Sequence, residues 1–379
     1  MGKPHLTLSV ALNAAGHHPA AWRLPQARRA QALSGAHFAQ LAGLAERGGL
    51  DLVLLGYPAR GSELAPPPSA EAVRLDAMSL AAALIPMTRD IGLGAVAPAT
   101  YWEPFNIARS FSALDNLSRG RAAWCVDAAL RPYDLGNFSR LAAVDPSRAH
   151  ERTREFMEVA YALWDSWERG ALVFDKANAQ FTNHTKVHRI DHAGDWFKVE
   201  GPLNSPRPVQ GRPVIVQSDT STDGLALAAA TADVLIIRPM TIEAAVEAAG
   251  AAKAKAVAAG RELIVLADLM PIVDREGGSG ADRLAALDAL AQRRPECLGF
   301  AGAPAALADL IQAWIRAGAC DGFNLLPAVL PDDLAAVADS VVPELKRRGL
   351  VADGPAGATL RQRLGLAEPA SRYEAAAHG

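Results

Sequence analysis

Apolar residues recur along this chain with two alternating periods. Short continuous apolar runs, bounded by Gly, Pro or charged residues, read as strands of a sheet covered on both faces. They fall at 5–12, 51–57, 91–98, 121–127, 213–218, 234–239, 263–273 and 322–327. Between them the apolar positions recur every three or four residues, the period of an amphipathic helix. These stretches cover 37–48, 75–88, 104–118, about 147–168, 222–232, 241–259, 280–293, 304–317 and 332–348. In the first, Phe38, Leu41 and Leu44 share a face, and Gly48-Gly49 ends it.

Eight strand candidates, each followed by a helix, predict an α/β fold of the TIM (β/α)8 barrel type. An open doubly wound sheet is the runner-up. Against it, the region after the first strand reads Asn13-Ala14-Ala15-Gly16-His17-His18, not a dinucleotide-binding G-x-G-x-x-G. The rhythm breaks between strands four and five. Residues 169–212 are rich in Asn, His, Asp, Gly and Pro and predict an excursion from the barrel. The expected organisation is one barrel domain over 1–350 and a C-terminal surface extension over 351–379.

Composition then removes whole classes of function. Half the chain is hydrophobic and the net charge is only -3, so it is not an intrinsically disordered chain. Lys and Arg total 38 against 41 Asp and Glu, which leaves no global field to attract nucleic acid. Cys125, Cys297 and Cys320 are widely spaced, show no zinc pattern, and fit a reducing compartment. No apolar run is long enough to span a membrane, and no leader segment is recognisable. A cytoplasmic location is the expectation.

In a TIM barrel the chemistry lies at the C-terminal ends of the strands. That rule selects His17 and His18 after strand one and Tyr57 after strand two. It selects Ala97-Pro98-Ala99-Thr100-Tyr101 at strand three, Cys125 and Asp127 at strand four, and Asn324 at strand eight. The two histidines suit acid–base work or simply orient their loop. No metal site is expected, since no carboxylate–histidine set has a ligating spacing. Ser218-Asp219-Thr220-Ser221 precedes a helix with Gly224 in its first turn. Such a stretch either binds an anion at the helix N-terminus or merely caps the helix. Cys125 reads as a buried thiol, because no cation neighbours it in sequence. Lys186-Val187-His188-Arg189-Ile190-Asp191-His192 is either a polar clamp or a fold held by internal hydrogen bonds.

Several stretches resemble one family. They include Gly16-His17-His18-Pro19-Ala20-Ala21-Trp22-Arg23, Tyr101-Trp102-Glu103-Pro104-Phe105-Asn106-Ile107-Ala108-Arg109 and Leu114-Asp115-Asn116-Leu117-Ser118-Arg119-Gly120-Arg121. The most specific is the 186–192 run, continuing into Phe197-Lys198-Val199-Glu200-Gly201-Pro202-Leu203-Asn204. In this order the chain resembles the flavin-dependent monooxygenases of the bacterial luciferase-like superfamily. That group includes nitrilotriacetate and EDTA monooxygenase, pristinamycin IIA synthase, dibenzothiophene sulfone monooxygenase and long-chain alkane monooxygenase. The resemblance implies a barrel that takes reduced FMN from a separate NAD(P)H:flavin reductase. It implies O2 as co-substrate, a flavin C4a-peroxide, oxygen insertion into a small organic molecule, and a homodimer or homotetramer.

The departures from the family pattern gather where flavin is expected. Strand two ends in Gly56-Tyr57 where the family has Ala-Asp, and strand three carries Val96 where it has hydroxyl residues. Strand four gives Cys125-Val126-Asp127, the usual Arg-Tyr is Ala149-His150, and the usual Gln-Ala-Gly-x-Ser is Gln217-Ser218-Asp219-Thr220-Ser221. The connection after strand seven is short. By this correspondence Tyr57, Val96 and Cys125 line the flavin ring, while His150, Thr220 and Ser221 meet its phosphate. His17 or His18 is the hydrogen-bond partner of substrate or peroxide. Two alternatives stand beside the monooxygenase: a degenerate barrel with weak or no flavin binding, serving as a non-catalytic subunit or small-molecule binder, and an enzyme using the deazaflavin F420. Ala97-Pro98 is the expected place for a cis peptide bond, since cis is far less costly before proline.

Overall fold

The computed structural model describes residues 6–25, 27, 29–57, 73–128, 138, 145–291, 296–352 and 357–373. Parallel strands β1 (Thr7–Leu12), β2 (Leu52–Leu55), β3 (Gly92–Pro98) and β4 (Ala122–Asp127) are followed by β5 (Val214–Gln217), β6 (Val234–Ile237), β7 (Ile264–Val273) and β8 (Gly322–Leu325). They pair in chain order, and β8 returns to β1 with Thr7 opposite Gly322 and Val10 opposite Leu325. The ring is therefore a closed eight-stranded barrel, as the sequence pattern predicts. The expected strand start at His5 lies outside the described residues.

Strand alternation sorts the core into two layers. Leu52, Leu54, Ala123, Cys125, Val214, Val216, Val234, Ile236 and Leu266 fill the barrel interior. Leu8, Val10, Val53, Leu93, Trp124, Ile215, Leu235 and Val265 point outward under the helices. Those helices are α1 (Gly35–Arg47), α2 (Ala77–Leu84), α3 (Pro104–Leu117), α4 (Ala149–Asp165), α5 (Thr222–Thr231), α6 (Ile242–Ala258), α7 (Gly280–Leu290) and α8 (Pro304–Arg316). A last helical run over Asp332–Arg347 contains a π turn at Val337–Val341. The periodicity predicts α7 to 293, but the helix ends at Leu290; residues 292–293 lie outside the described residues.

β7 is ten residues long because its far half pairs with an additional strand, Leu298–Gly302, beyond the barrel rim. The aromatic residues of α4 are core: Phe156 and Trp164 pack on Trp124. Trp167 lies beyond the end of that helix and donates its indole N–H to Leu203 O at 2.6 Å.

The excursion folds as two short antiparallel hairpins, Leu172–Asp175 with Gln180–Thr182 and His192–Ala193 with Lys198–Val199. Glu155 of α4 anchors it, accepting from the backbone N–H of Trp196 at 3.0 Å and of Phe197 at 2.8 Å, with His192 Nε2 at 3.1 Å. His188 meets Glu168 at 2.6 Å. The 186–192 run is thus tied up in internal bonds.

At the opposite end of the barrel the chain returns after Leu350. Leu360 is buried against β3, and its N–H donates to Gly120 O. Arg361 pairs with Asp233 through Nη2 at 2.7 Å and Nη1 at 3.1 Å. Both partners lie at the N-terminal ends of the strands, so this segment plugs the barrel floor.

Candidate active site at the barrel mouth

The mouth holds a cavity of about 330 Å³. Leu12, Asn13, His17, His18, Trp22, Phe38, Tyr57 and Arg74 are among the residues that line it. The loop after β1 shapes its wall. Asn13 Oδ1 accepts from the N–H of Ala15 and Gly16, and its Nδ2 donates to Gly16 O. Gly16 has φ +123°, and a Cβ there would lie 2.2 Å from Ala328 O. Only glycine lets the loop approach the chain after β8 this closely. There the N–H of His17 donates to Pro327 O at 2.8 Å and that of His18 to Ala328 O at 3.1 Å.

The two histidines then differ. His17 is buried, with Nε2 at 3.0 Å from Ala11 O. A carbonyl only accepts, so Nε2 carries the proton and Nδ1 carries the lone pair. Burial lowers its pKa to about 4, against the Ala11 bond and with the charge of Arg238 adding to the effect. It is neutral at pH 7. His18 uses both ring nitrogens: Nδ1 accepts from Ala20 N–H at 3.2 Å, and Nε2 lies 3.3 Å from Asp288 Oδ1. Burial lowers its pKa as well, opposed by Asp288. Among the described residues, His17 Nδ1 takes no hydrogen bond, so His17 is the better placed to meet a ligand.

Beneath the cavity lies a polar network inside the barrel. Ser9, Asp268 and Asn324 occupy inward positions, and Arg238 directly follows β6 with the same parity as Val234 and Ile236. Ser9 Oγ donates to Asn324 Oδ1 at 2.8 Å, and Asn324 Nδ2 to Asp268 Oδ1 at 2.7 Å. Arg238 Nε donates to Asp268 Oδ2 at 2.7 Å, and the Tyr57 hydroxyl to the same oxygen at 3.2 Å. The guanidinium carbon lies 5.4 Å from the Tyr57 ring centroid. Burial and the Asp268 charge push the Tyr57 phenol up, so it stays protonated. Burial pulls the Arg238 pKa down, but the Asp268 charge outweighs it, so Arg238 stays a cation.

Sequence reasoning missed Arg238 and Asp268. The signal was present: a lone carboxylate inside the apolar run 263–273, and an arginine at the end of the run 234–239.

The other expected residues form separate groups. Val96 and Cys125 are register partners on β3 and β4. Burial pushes the Cys125 thiol up, which makes it inert. At the start of α5, Ser221 Oγ accepts from Gly224 N–H at 3.1 Å and so caps the helix. Thr220 is exposed. His150, in the first turn of α4, holds Asp219 Oδ2 through Nε2 at 2.7 Å. Burial pulls the Asp219 carboxyl upward, but the Ser221 N–H and His150 outweigh it and keep it below its ordinary range.

One expectation is overturned: the Ala97–Pro98 peptide is trans, and among the described residues the cis bonds are Gly201–Pro202 and Leu330–Pro331. Pro98 is still a strand residue, paired with Asp127 of β4, and Ala99 N–H donates to Asp127 O. The extended trans chain keeps that ladder intact.

The luciferase-like monooxygenase family matches residues 16–294. N-acetyl-S-(2-succino)cysteine monooxygenase of Bacillus subtilis is 32% identical, with 98% of this chain and 99% of the relative covered. Nitrilotriacetate monooxygenase component A of Aminobacter aminovorans is also 32% identical, covering 96% and 97%. The first alignment runs over 437 positions against 379 residues here, so the relative carries segments that this chain lacks. Among solved structures, DmoA from Hyphomicrobium sulfonivorans superposes with a TM-score of 0.87 at 25% identity, covering 95% and 92%. EDTA monooxygenase from Chelativorans sp. BNC1 gives 0.83 at 27%, covering 96% and 99%.

Proposed function

The chain belongs to the luciferase-like monooxygenase family, and from that premise we propose that it is the oxygenating component of a two-component, FMN-dependent system. Reduced FMN comes from a separate NAD(P)H:flavin reductase, O2 is the co-substrate, and the acceptor is a small organic molecule. The observation that carries this reading is the mouth cavity of about 330 Å³, walled by histidines that are neutral at pH 7 and by Tyr57. Such a wall offers hydrogen bonds and shelter from water but no activated nucleophile, and it suits a site whose hard chemistry a cofactor supplies.

By the family correspondence, two groups of residues would hold FMN. Tyr57, Val96 and Cys125 would line its ring. Thr220 and Ser221, at the N-terminus of α5, would receive its phosphate together with His150 of α4. The Asp219 carboxylate would repel a phosphate there, but His150 covers it at 2.7 Å. When bound, the reduced flavin supplies the electrons that activate O2. His17 offers the Nδ1 lone pair as a hydrogen-bond acceptor and keeps its own proton on Nε2, against Ala11 O. His18 holds the loop in place through Asp288. The protein works in the cytoplasm as a homodimer or homotetramer, which sedimentation would read.

A second reading, a barrel with weak or no flavin binding, is favoured by one observation. The Gly224 N–H, a donor that a phosphate at this turn would use, is already taken by Ser221 Oγ, and Asp219 brings a carboxylate to the same turn. One titration separates the two. FMN is added to the purified protein, oxidised and then anaerobically reduced, and followed by fluorescence and calorimetry. The monooxygenase reading expects the reduced form to bind at micromolar concentration. It expects His150→Ala and Ser221→Ala each to weaken binding about ten- to hundredfold, the worth of a hydrogen bond to a charged group. No binding of either form up to millimolar concentration would establish the second reading.

A further inference from the structure

The mouth cavity changes character from its inner end to its rim. At the inner end stands His17, 6% exposed. Its Nε2 proton is committed to Ala11 O, so Nδ1 is a pure acceptor. No described group donates to that atom, yet it is not among the buried side-chain atoms left without a partner. It therefore opens onto the cavity that His17 lines. A ligand that shuts water out without replacing its hydrogen bond pays for the stranded acceptor, whereas a ligand bringing a donor restores the bond.

At the rim stand Trp22 and Val73, each 56% exposed and both on the cavity wall. Large apolar side chains scattered singly over a surface need no explanation, but two that share one cavity make an apolar entrance. Among the described residues the Trp22 indole has no hydrogen bond and no ring contact, so its flat face is open to a stacked ring. The remaining polar atoms of the wall are largely engaged. Asn13 and His18 turn theirs to the loop itself and to Asp288. With both histidines neutral, Arg74 is the only charged side chain among the described residues that line the cavity, and it already has a partner within the chain. A volume of about 330 Å³ lies at the small end of ligand pockets.

We propose that the mouth cavity takes, as the oxygen acceptor, an uncharged ring compound bearing an O–H or N–H donor. The ring lies against Trp22 at the rim, and the donor reaches Nδ1 of His17. The tautomer fixed by Ala11 gives the site its polarity: it welcomes a donor and disfavours an ether or a carboxylate of the same shape, which bring only acceptors. The inference rests on the mouth cavity being the acceptor's site, as proposed above.

The test compares three small probes by calorimetry on the purified protein: p-cresol, its methyl ether, which lacks the donor, and p-toluate, which replaces the donor with a charge. The ether is more apolar than the cresol, so simple burial would favour it. The cresol should nevertheless bind about three- to tenfold more tightly than either. His17→Leu should abolish that preference, and His17→Gln, whose amide still offers an acceptor, should retain part of it. Trp22→Ala should weaken cresol and ether alike, about two- to tenfold. Circular dichroism melts verify that each variant folds; should His17→Leu not fold, His17→Gln and the exposed Trp22→Ala still decide. Equal binding of cresol and ether, tighter binding of toluate, no binding of the cresol at millimolar concentration, or a preference that survives His17→Leu would overturn the proposal. So would displacement of the cresol by FMN, oxidised or reduced, since the cavity would then belong to the flavin. A protein that prefers the cresol yet binds no FMN leaves the cavity's ligand class standing and removes the monooxygenase reading. One that binds reduced FMN but not the cresol does the reverse.

Discussion

At the scale of single residues, the mouth depends on protonation states set by burial. The pKa of His17 falls to about 4 in the fold from an ordinary value of 6.5. The native state thus binds its proton less readily than the unfolded chain does. Stability tied to this residue is full above pH 6.5 and is lost as the pH falls toward 4. The loss amounts to about 3 kcal/mol at 1.36 kcal/mol per unit. Urea unfolding between pH 7 and 4.5 should show this slope in the wild type and a flatter one in His17→Gln. His17→Leu, which offers no hydrogen-bond acceptor, should lower turnover about tenfold or more. Matching pH slopes in the two proteins would mean that His17 is not buried neutral.

At the scale of elements, how well the chain could be read depended on how local each signal was. Barrel strands and helices were legible because each is a periodic run closed by its own breakers, as with Ser34 capping α1 at His37. His17, His18 and Tyr57 were found because one topological rule locates strand ends, and the structure gathers them around one cavity. The pairing of Arg238 with Asp268 and Tyr57 was not legible, because it joins the neighbouring strands β6 and β7 to the end of β2 across the ring. Nor was the division of labour between the histidines, which turns on Ala11 and Asp288. The trans bond at Pro98 likewise follows from pairing with β4 rather than from the Ala-Pro sequence.

The excursion supplies the prediction for this scale. Glu155 ties the second hairpin to α4 through two backbone N–H groups and His192, beside the packing of Phe197 on Phe156 and Arg152. Glu155→Gln should release that hairpin, since a neutral amide holds those donors less strongly. Limited proteolysis should then cut within 169–204 several times faster, while the urea midpoint of the barrel moves little. Unchanged cleavage would show that the hairpin is held elsewhere, for instance by Trp167 and Leu203.

For the whole molecule, the two ends of the barrel have different tasks. The mouth holds the cavity with its two histidines and Tyr57, whereas the floor is sealed by residues from the far end of the chain. Leu360→Ala should cost about 2–5 kcal/mol, the usual range for emptying a packed core site. Arg361→Met should cost about 3–5 kcal/mol by leaving Asp233 buried without its principal partner. Both are read from urea unfolding, and both should leave the affinity for FMN unchanged, because the floor and the mouth lie at opposite ends of the strands. Near-neutral substitutions would show that the segment covers the barrel without supporting it.

Ring closure also sets a timetable for synthesis. β1 finds its second neighbour only in β8, so Thr7 waits for Gly322. More than three hundred residues must leave the ribosome before the first strand loses its open edge, and Leu360 follows later still. Throughout that interval the nascent chain displays an unpaired, wholly apolar-flanked strand, the kind of edge to which other chains adhere. The yield of native protein should therefore depend on translation speed and on chaperones more steeply than its final stability suggests.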